Sequence, residues 1–175
     1  QLYRRGLQLD PGNPIYLHHL AACNDELLPA RASDAYLSAV FDRDAGNFDR
    51  HLRSLQYRAP QQLLSCVQQA LPAPEAGLEI ADLGCGDLSE LAAAAAGALR
   101  GNGWFAFTVE ALAPESDSAL VLQTNGRYAH QRRYVEAAFG AAGLQITHSV
   151  DFDVRIEAGQ AVAAIAFICL RPAES

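Results

Sequence analysis

The sequence predicts an α/β domain behind an N-terminal helical segment, and three observations lead to it. The run "LEIADLGCG" at 78–86 is short, apolar and ends in glycines, the form of a strand that meets a ligand loop. The run "WFAFTVE" at 104–110 is almost continuously apolar, as a strand in a parallel sheet covered on both faces would be. Ahead of them, residues 1–76 carry helical patterns and turn signals only. With 50% hydrophobic and 19% charged residues, 175 residues allow one core with an appendage.

Taken in order, "LYRRGLQL" at 2–9 reads as a helix, "DPGNP" at 10–14 as a turn cluster, and "IYLHHLAAC" as the start of a second helix. His18 and His19 are adjacent on it and read as structural, since neighbours on a helix point to different faces. After the polar break "NDELLPARAS", Ser33 is placed to cap a helix through Tyr36, Leu37, Val40 and Phe41, which Gly46 interrupts. Pro60 falls in the first turn of a helix whose Leu63, Leu64, Val67 and Leu71 share a face. Residues 1–30 thus form a helical hairpin, 31–76 a helical cover, and 77–175 the α/β core.

Within that core, Asp87 and Glu90 have capping-box spacing ahead of an alanine-rich helix to Leu99. Gly101-Asn102-Gly103 closes it, the 104–110 strand follows, and Tyr134 to Ala142 forms a helix stopped by Gly143. "SVDFDVRIE" alternates Val150, Phe152, Val154 and Ile156 inward against Asp151, Asp153 and Arg155 outward. The "AGQ" turn then leads into Ala161–Leu170, so the chain closes in an antiparallel hairpin.

Charge and cysteines narrow the function classes. The net charge is -7 and all 13 basic residues are Arg, which leaves no basic footprint for nucleic acid. Cys23, Cys66, Cys85 and Cys169 have neither zinc spacing nor a disulfide framework, so no metal site is expected and reduced thiols in the cytoplasm are. The longest apolar run, 161–170, is half a membrane span, so no membrane association is expected. The sequence lacks methionine, so Gln1 is expected not to be a native start.

These segments resemble a known family. "IADLGCG" looks like motif I of class I S-adenosylmethionine-dependent methyltransferases, "LRGNGWFAFTVE" is similar to the element before and within their fifth strand, and the helix with its terminal hairpin matches their strands six and seven. "ASDAYLSAVFDRDAGNFDRHLRSLQYRAP" and "NGRYAHQRRYVEAAFGAAG" resemble a bacterial group in which tetratricopeptide repeats precede the methyltransferase domain. The resemblance implies a Rossmann-like sheet with a terminal antiparallel hairpin, S-adenosylmethionine as cofactor, a small-molecule acceptor, and a protein partner through upstream repeats, of which residues 1–30 would be the end. One departure is large: only Gly86 and Asp87 separate motif I from the family's fourth helix. Roughly 60 residues or more of strand and helix, including a ribose-binding carboxylate, are missing from that junction, since each strand–helix–strand unit takes about 30.

By the resemblance, Asp82, Gly84, Cys85 and Gly86 contact the cofactor, the glycines admitting it without a Cβ collision. Cys85 reads as a small packing residue rather than a nucleophile. Glu110, at the ligand end of the fifth strand, and Tyr128 and His130 in "RYAHQ" are the candidate catalytic groups. Their structural alternatives are a solvated strand end and a cap for the next helix. Phe41, Phe48, His51 and Tyr57 are either lid and acceptor-pocket residues or core. Two other classes compete with methyl transfer. One is a binding or scaffold protein with a degenerate methyltransferase-like domain; the other, a nicotinamide oxidoreductase, is disfavoured because Ser89 stands where G-x-G-x-x-G needs its third glycine.

Overall fold

A computed structural model describes residues 1–24, 29, 31–71 and 88–173. The motif I segment, with Asp82, Gly84, Cys85 and Gly86 and the 86/87 junction, lies outside the described residues, as does the Asp87 half of the capping box.

The helical half follows its local signals closely. Helix α1 spans Leu2–Leu9 and α2 spans Pro14–Ala21, with Asn13 Oδ1 accepting from the amides of Ile15 and Tyr16 at 3.0 and 3.2 Å. Helix α3 spans Asp34–Asp44 and Ser33 Oγ accepts from the Tyr36 amide, as a cap should. A single tight turn at Ala45–Asn47 marks the Gly46 interruption, followed by α4 (Phe48–Ser54) and α5 (Ala59–Ala70), which carries Pro60 in its first turn.

The other half is α6 (Leu88–Ala98), β1 (Trp104–Ala111), β2 (Leu120–Leu122), β3 (Tyr128–His130), α7 (Arg132–Ala141), β4 (Gln145–Glu157) and β5 (Gln160–Leu170). The strands form one sheet in the order β2-β3-β1-β5-β4. The chain is therefore mixed α/β, with seven α-helices and five strands among the described residues. β1 lies in the middle, and β5 sits between it and the edge strand β4, antiparallel to β1 from Trp104↔Leu170 to Glu110↔Ala164 and antiparallel to β4. The expectation that β1 belongs to a parallel sheet needs correcting: its parallel pairing is confined to Glu110↔Ala129 and Ala111↔His130 at its carboxyl end. Its apolar run has the expected cause all the same, because helices cover both faces of the sheet.

One face is closed by α6 and α7. Leu88, Leu91, Ala92 and Ala95 from α6 and Val135 and Phe139 from α7 pack on Phe107, Ile165, Phe167 and Cys169. The Phe107 ring stacks on Phe139 with centroids 4.4 Å apart and on Phe167 at 5.2 Å. On the opposite face α5 lays Cys66 against Ala166 and Ile168, while Ala59 meets Val154 and Ala164. Burial pushes both buried thiols up, Cys169 to about 12, so neither is a nucleophile near neutral pH.

The terminal hairpin turns as the sequence indicates, with Ala158 and Gly159 both at positive φ (49° and 79°) between the pair Glu157↔Gln160. The inside-outside alternation read along β4 fails at its end. Val154 has no partner residue between Asp153↔Ala163 and Arg155↔Val162, so a β-bulge inserts one residue there. Beyond it the faces swap: Arg155 is 2% exposed and Ile156 is 37% exposed, the reverse of the expected assignment.

Candidate functional site

The bulge positions the charged centre of the molecule. Arg155 is turned under the sheet's α5 face, where Nη1 donates to Glu110 Oε1 at 2.7 Å and Nε donates to Glu157 Oε2 at 2.9 Å. Nη2 also lies 2.8 Å from Glu157 Oε2, outside hydrogen-bonding geometry. Burial works against the Arg155 charge, but the two carboxylates outweigh it and hold the guanidinium above its ordinary range. Arg127 stands 4.0 Å from Glu110 Oε1 with half of its side chain exposed, and Asn125 Nδ2 donates to Glu157 Oε2 at 3.3 Å.

Of these groups, Glu110, Glu157 and Asn125 line a cleft of about 500 Å³ at the carboxyl end of β1. Glu110 and Ala129 floor it, Gln123, Thr124 and Asn125 of the β2–β3 turn form one wall, and Glu157 with Gln160 of the β4–β5 turn forms the other. Its volume suits a small ligand, and its lining is carboxylate and amide with alanines between. Glu110 is not a solvated strand-end carboxylate: its side chain is only 12% exposed and ion-paired.

The three candidate catalytic residues do not converge. Glu110 pairs with Ala129, so both project to the cleft side, and Tyr128 and His130 alternate to the other face of β3. His130 stacks on Tyr134 of α7 with centroids 6.3 Å apart. The Tyr128 hydroxyl donates to the Pro29 carbonyl at 2.9 Å, and burial, with Tyr36 beside it, pushes the phenol above its ordinary value. The lid candidates also lie elsewhere. Phe41 and Phe48 are 60% and 44% exposed, His51 is exposed, and Tyr57 packs on the α5 side against the cluster of Ala59, Val154 and Ala164 while lining a separate open depression with Asp49 and Arg53.

Sequence reasoning missed Arg155, whose position depends on a bulge, and Gln131. Gln131 is 4% exposed; its Nε2 lies within 3.0–3.1 Å of the carbonyls of Ala113, Pro114 and Ser116, while Oε1 accepts from the Arg132 amide at the start of α7. One side chain thus fixes the β1–β2 connection to α7. The only signal in the sequence is its position just ahead of the α7 pattern, which marks a helix start but not the contact with the β1–β2 connection.

The β2–β3 wall rests on the helical half. His18, 5% exposed, approaches the Gly126 carbonyl at 2.8 Å through Nε2, and its ring stacks on Tyr36 at 3.7 Å. Gly126 has φ of +83°, and a Cβ there would sit 2.6 Å from Tyr36 Oη. Gly126→Ala is therefore expected to destabilise the protein by about 1–3 kcal/mol and loosen this wall; urea unfolding with an unchanged midpoint would contradict it.

His19, stacked on Tyr3, is pushed below its ordinary value of 6.5 by burial and then by His18, against the opposing effect of a Thr124 backbone hydrogen bond. A histidine that takes up its proton later in the folded chain contributes stability present above pH 6.5 and lost as pH falls below it. Unfolding free energy is expected to drop on acidification from about pH 7 to 5, less steeply in His19→Gln. Equal slopes in the two proteins would rule His19 out as a source.

What fold and cleft define is a mixed α/β protein with a polar cleft at the carboxyl end of a strand. No known protein-family profile matches the chain. Over 46 residues it is 41% identical to methyltransferase-like protein 27 of Homo sapiens, a stretch covering 26% of this chain and 19% of that protein. The matched part thus spans about a fifth of that relative's length. No helix among the described residues is long and apolar enough to cross a membrane, and no group of His, Cys, Asp or Glu among them could hold a metal ion.

Proposed function

We propose that this chain belongs to an S-adenosylmethionine-dependent methyltransferase of the class I type, working in the cytoplasm on a small-molecule acceptor. The observation that carries the proposal is the order strand, helix, hairpin within one sheet (β1, α7, β4–β5), the order expected from the resemblance. A ligand cleft at the carboxyl end of β1 supports it, because open α/β sheets bind there. The short stretch of identity to a methyltransferase-like protein supports it independently.

The side chains present fit the acceptor half of such a site. Glu110 and Glu157 face a cleft large enough for a small molecule, and Arg155 fixes both carboxylates from behind. The chemistry the cofactor supplies when bound is an electrophilic methyl group on a sulfonium; by the resemblance Asp82, Gly84, Cys85 and Gly86 would hold it. What Glu110 contributes is orientation, accepting a hydrogen bond from the acceptor so that its nucleophilic atom is held in line. The residues of the two turns, Gln123 to Asn125 and Glu157, Ala158, Gln160 and Ala161, flank it. The α1–α2 hairpin, docked on the cleft wall through His18, is the proposed end of a repeat array that would engage a protein partner.

Calorimetric titration of the chain with S-adenosylhomocysteine tests the proposal. Binding in the micromolar range is expected, and no heat together with no rise in melting temperature would reject it. Rejection would favour the second class, a non-catalytic binding protein. Two observations support that class: the Tyr128 hydroxyl is committed to Pro29, and only Gly86 and Asp87 join motif I to α6.

A further inference from the structure

We propose that the cleft beside Glu110 takes a protonated amine as the charged group of its ligand. The inference deepens the methyltransferase proposal by naming its acceptor class, and rests on it only in calling the ligand an acceptor.

Three observations support the amine. First, Arg155 engages one oxygen of each carboxylate, Glu110 Oε1 and Glu157 Oε2. Among the described residues, Glu110 Oε2 and Glu157 Oε1 receive no hydrogen bond, although both residues line the cleft. A carboxylate oxygen accepts and never donates, so a ligand there must bring N–H or O–H groups.

Second, the charges do not balance. Two carboxylates share one buried cation, and Arg127, half exposed and 4.0 Å from Glu110, is screened by water. One further positive charge inside the cleft would complete the centre, whereas a carboxylate or phosphate would meet two like charges. Third, the guanidinium that holds these carboxylates is 98% buried, with Nη2 outside hydrogen-bonding geometry. A side chain so costly to bury is poorly explained by stability alone, and here it fixes the direction of two acceptor groups toward one 500 Å³ space. The amides of Asn125, Gln123 and Gln160 around the rim can hydrogen-bond further polar atoms of the ligand.

The test uses three probes of equal length and different charge, butylammonium, butanol and butyrate, titrated into the 15N-labelled full chain and followed by backbone amide shifts. Butylammonium is expected to move the amides of Gln123–Asn125 and Ala158–Ala161, with butanol about tenfold weaker and butyrate inert. Glu110→Gln and the more exposed Glu157→Gln should each weaken butylammonium by about tenfold. The second variant keeps the test decisive if the first unfolds. A similar response to all three probes, no response at these amides, or unchanged binding in a folded variant overturns the proposal. So does displacement of butylammonium by S-adenosylhomocysteine, which would assign the carboxylates to the cofactor's own ammonium group. Cofactor titration of the same sample separates the two claims. Amine binding without cofactor binding leaves this site standing and removes the methyltransferase proposal, and cofactor binding without amine binding does the opposite.

Discussion

Replacing Arg155 by methionine is expected to lower the unfolding free energy by about 3–5 kcal/mol. The cost comes less from the lost contacts than from what they leave behind. Glu110, with a side chain 12% exposed, would face Glu157 across the cleft with no buried cation between them. Urea unfolding of Arg155→Met and of the double variant Arg155→Met/Glu110→Gln measures it, since removing the stranded carboxylate should return part of the loss. A loss below about 1 kcal/mol in the single variant would mean that water already compensates the centre. Arg155→Lys is not expected to rescue, because an ammonium cannot bridge two carboxylates through a planar fork.

Phe139→Ala should be of similar size, about 3–5 kcal/mol, for an unrelated reason. Phe139 is 0% exposed and stacks on Phe107 at 4.4 Å and on Phe105 at 6.1 Å, so its removal opens a hole where α7 meets the sheet. For a chain of this size the loss corresponds to a melting temperature lower by roughly 10 °C. Phe48→Ala is the control: 44% exposed on α4, it should change stability by less than about 0.5 kcal/mol. Equal effects of the two substitutions would contradict the packing described above.

The helices were legible because their signals are local. Asn13 and Ser33 beside their helices, Pro60 in a first turn and Gly143 after α7 at φ of +78° each act within a few residues, and each element begins or ends where they place it. The terminal hairpin was legible for the same reason, through Ala158-Gly159. Strands β2 and β3 escaped, because three residues each are too few for periodicity to show, and their pairing depends on the end of β1. The site was less legible than the fold. Glu110 stands out in the sequence as a charged group ending an apolar strand, yet its partner Arg155 reads as solvent-facing, because an inserted residue reverses the faces of a strand without leaving a mark in composition. Tyr128 and His130 join Glu110 as candidates only through the resemblance of "RYAHQ" to the family segment, and the two-residue alternation of β3 turns them away from it.

The insertion of the last strand, β5, between β1 and β4 bears on how the protein is made. Residues 160–170 join β1 to β4, and without them neither strand has its principal partner. On a ribosome, helices α1 to α7 and strands β1 to β4 all emerge before that joining segment does. The nascent chain therefore carries Phe107 without Phe167, and Val154 without Ala164, until residue 170 clears the exit tunnel, and only then can the sheet close. A stop codon ahead of residue 160 would leave a three-stranded remnant, β2-β3-β1, and a β4 with no strand to pair with, a product fit for degradation.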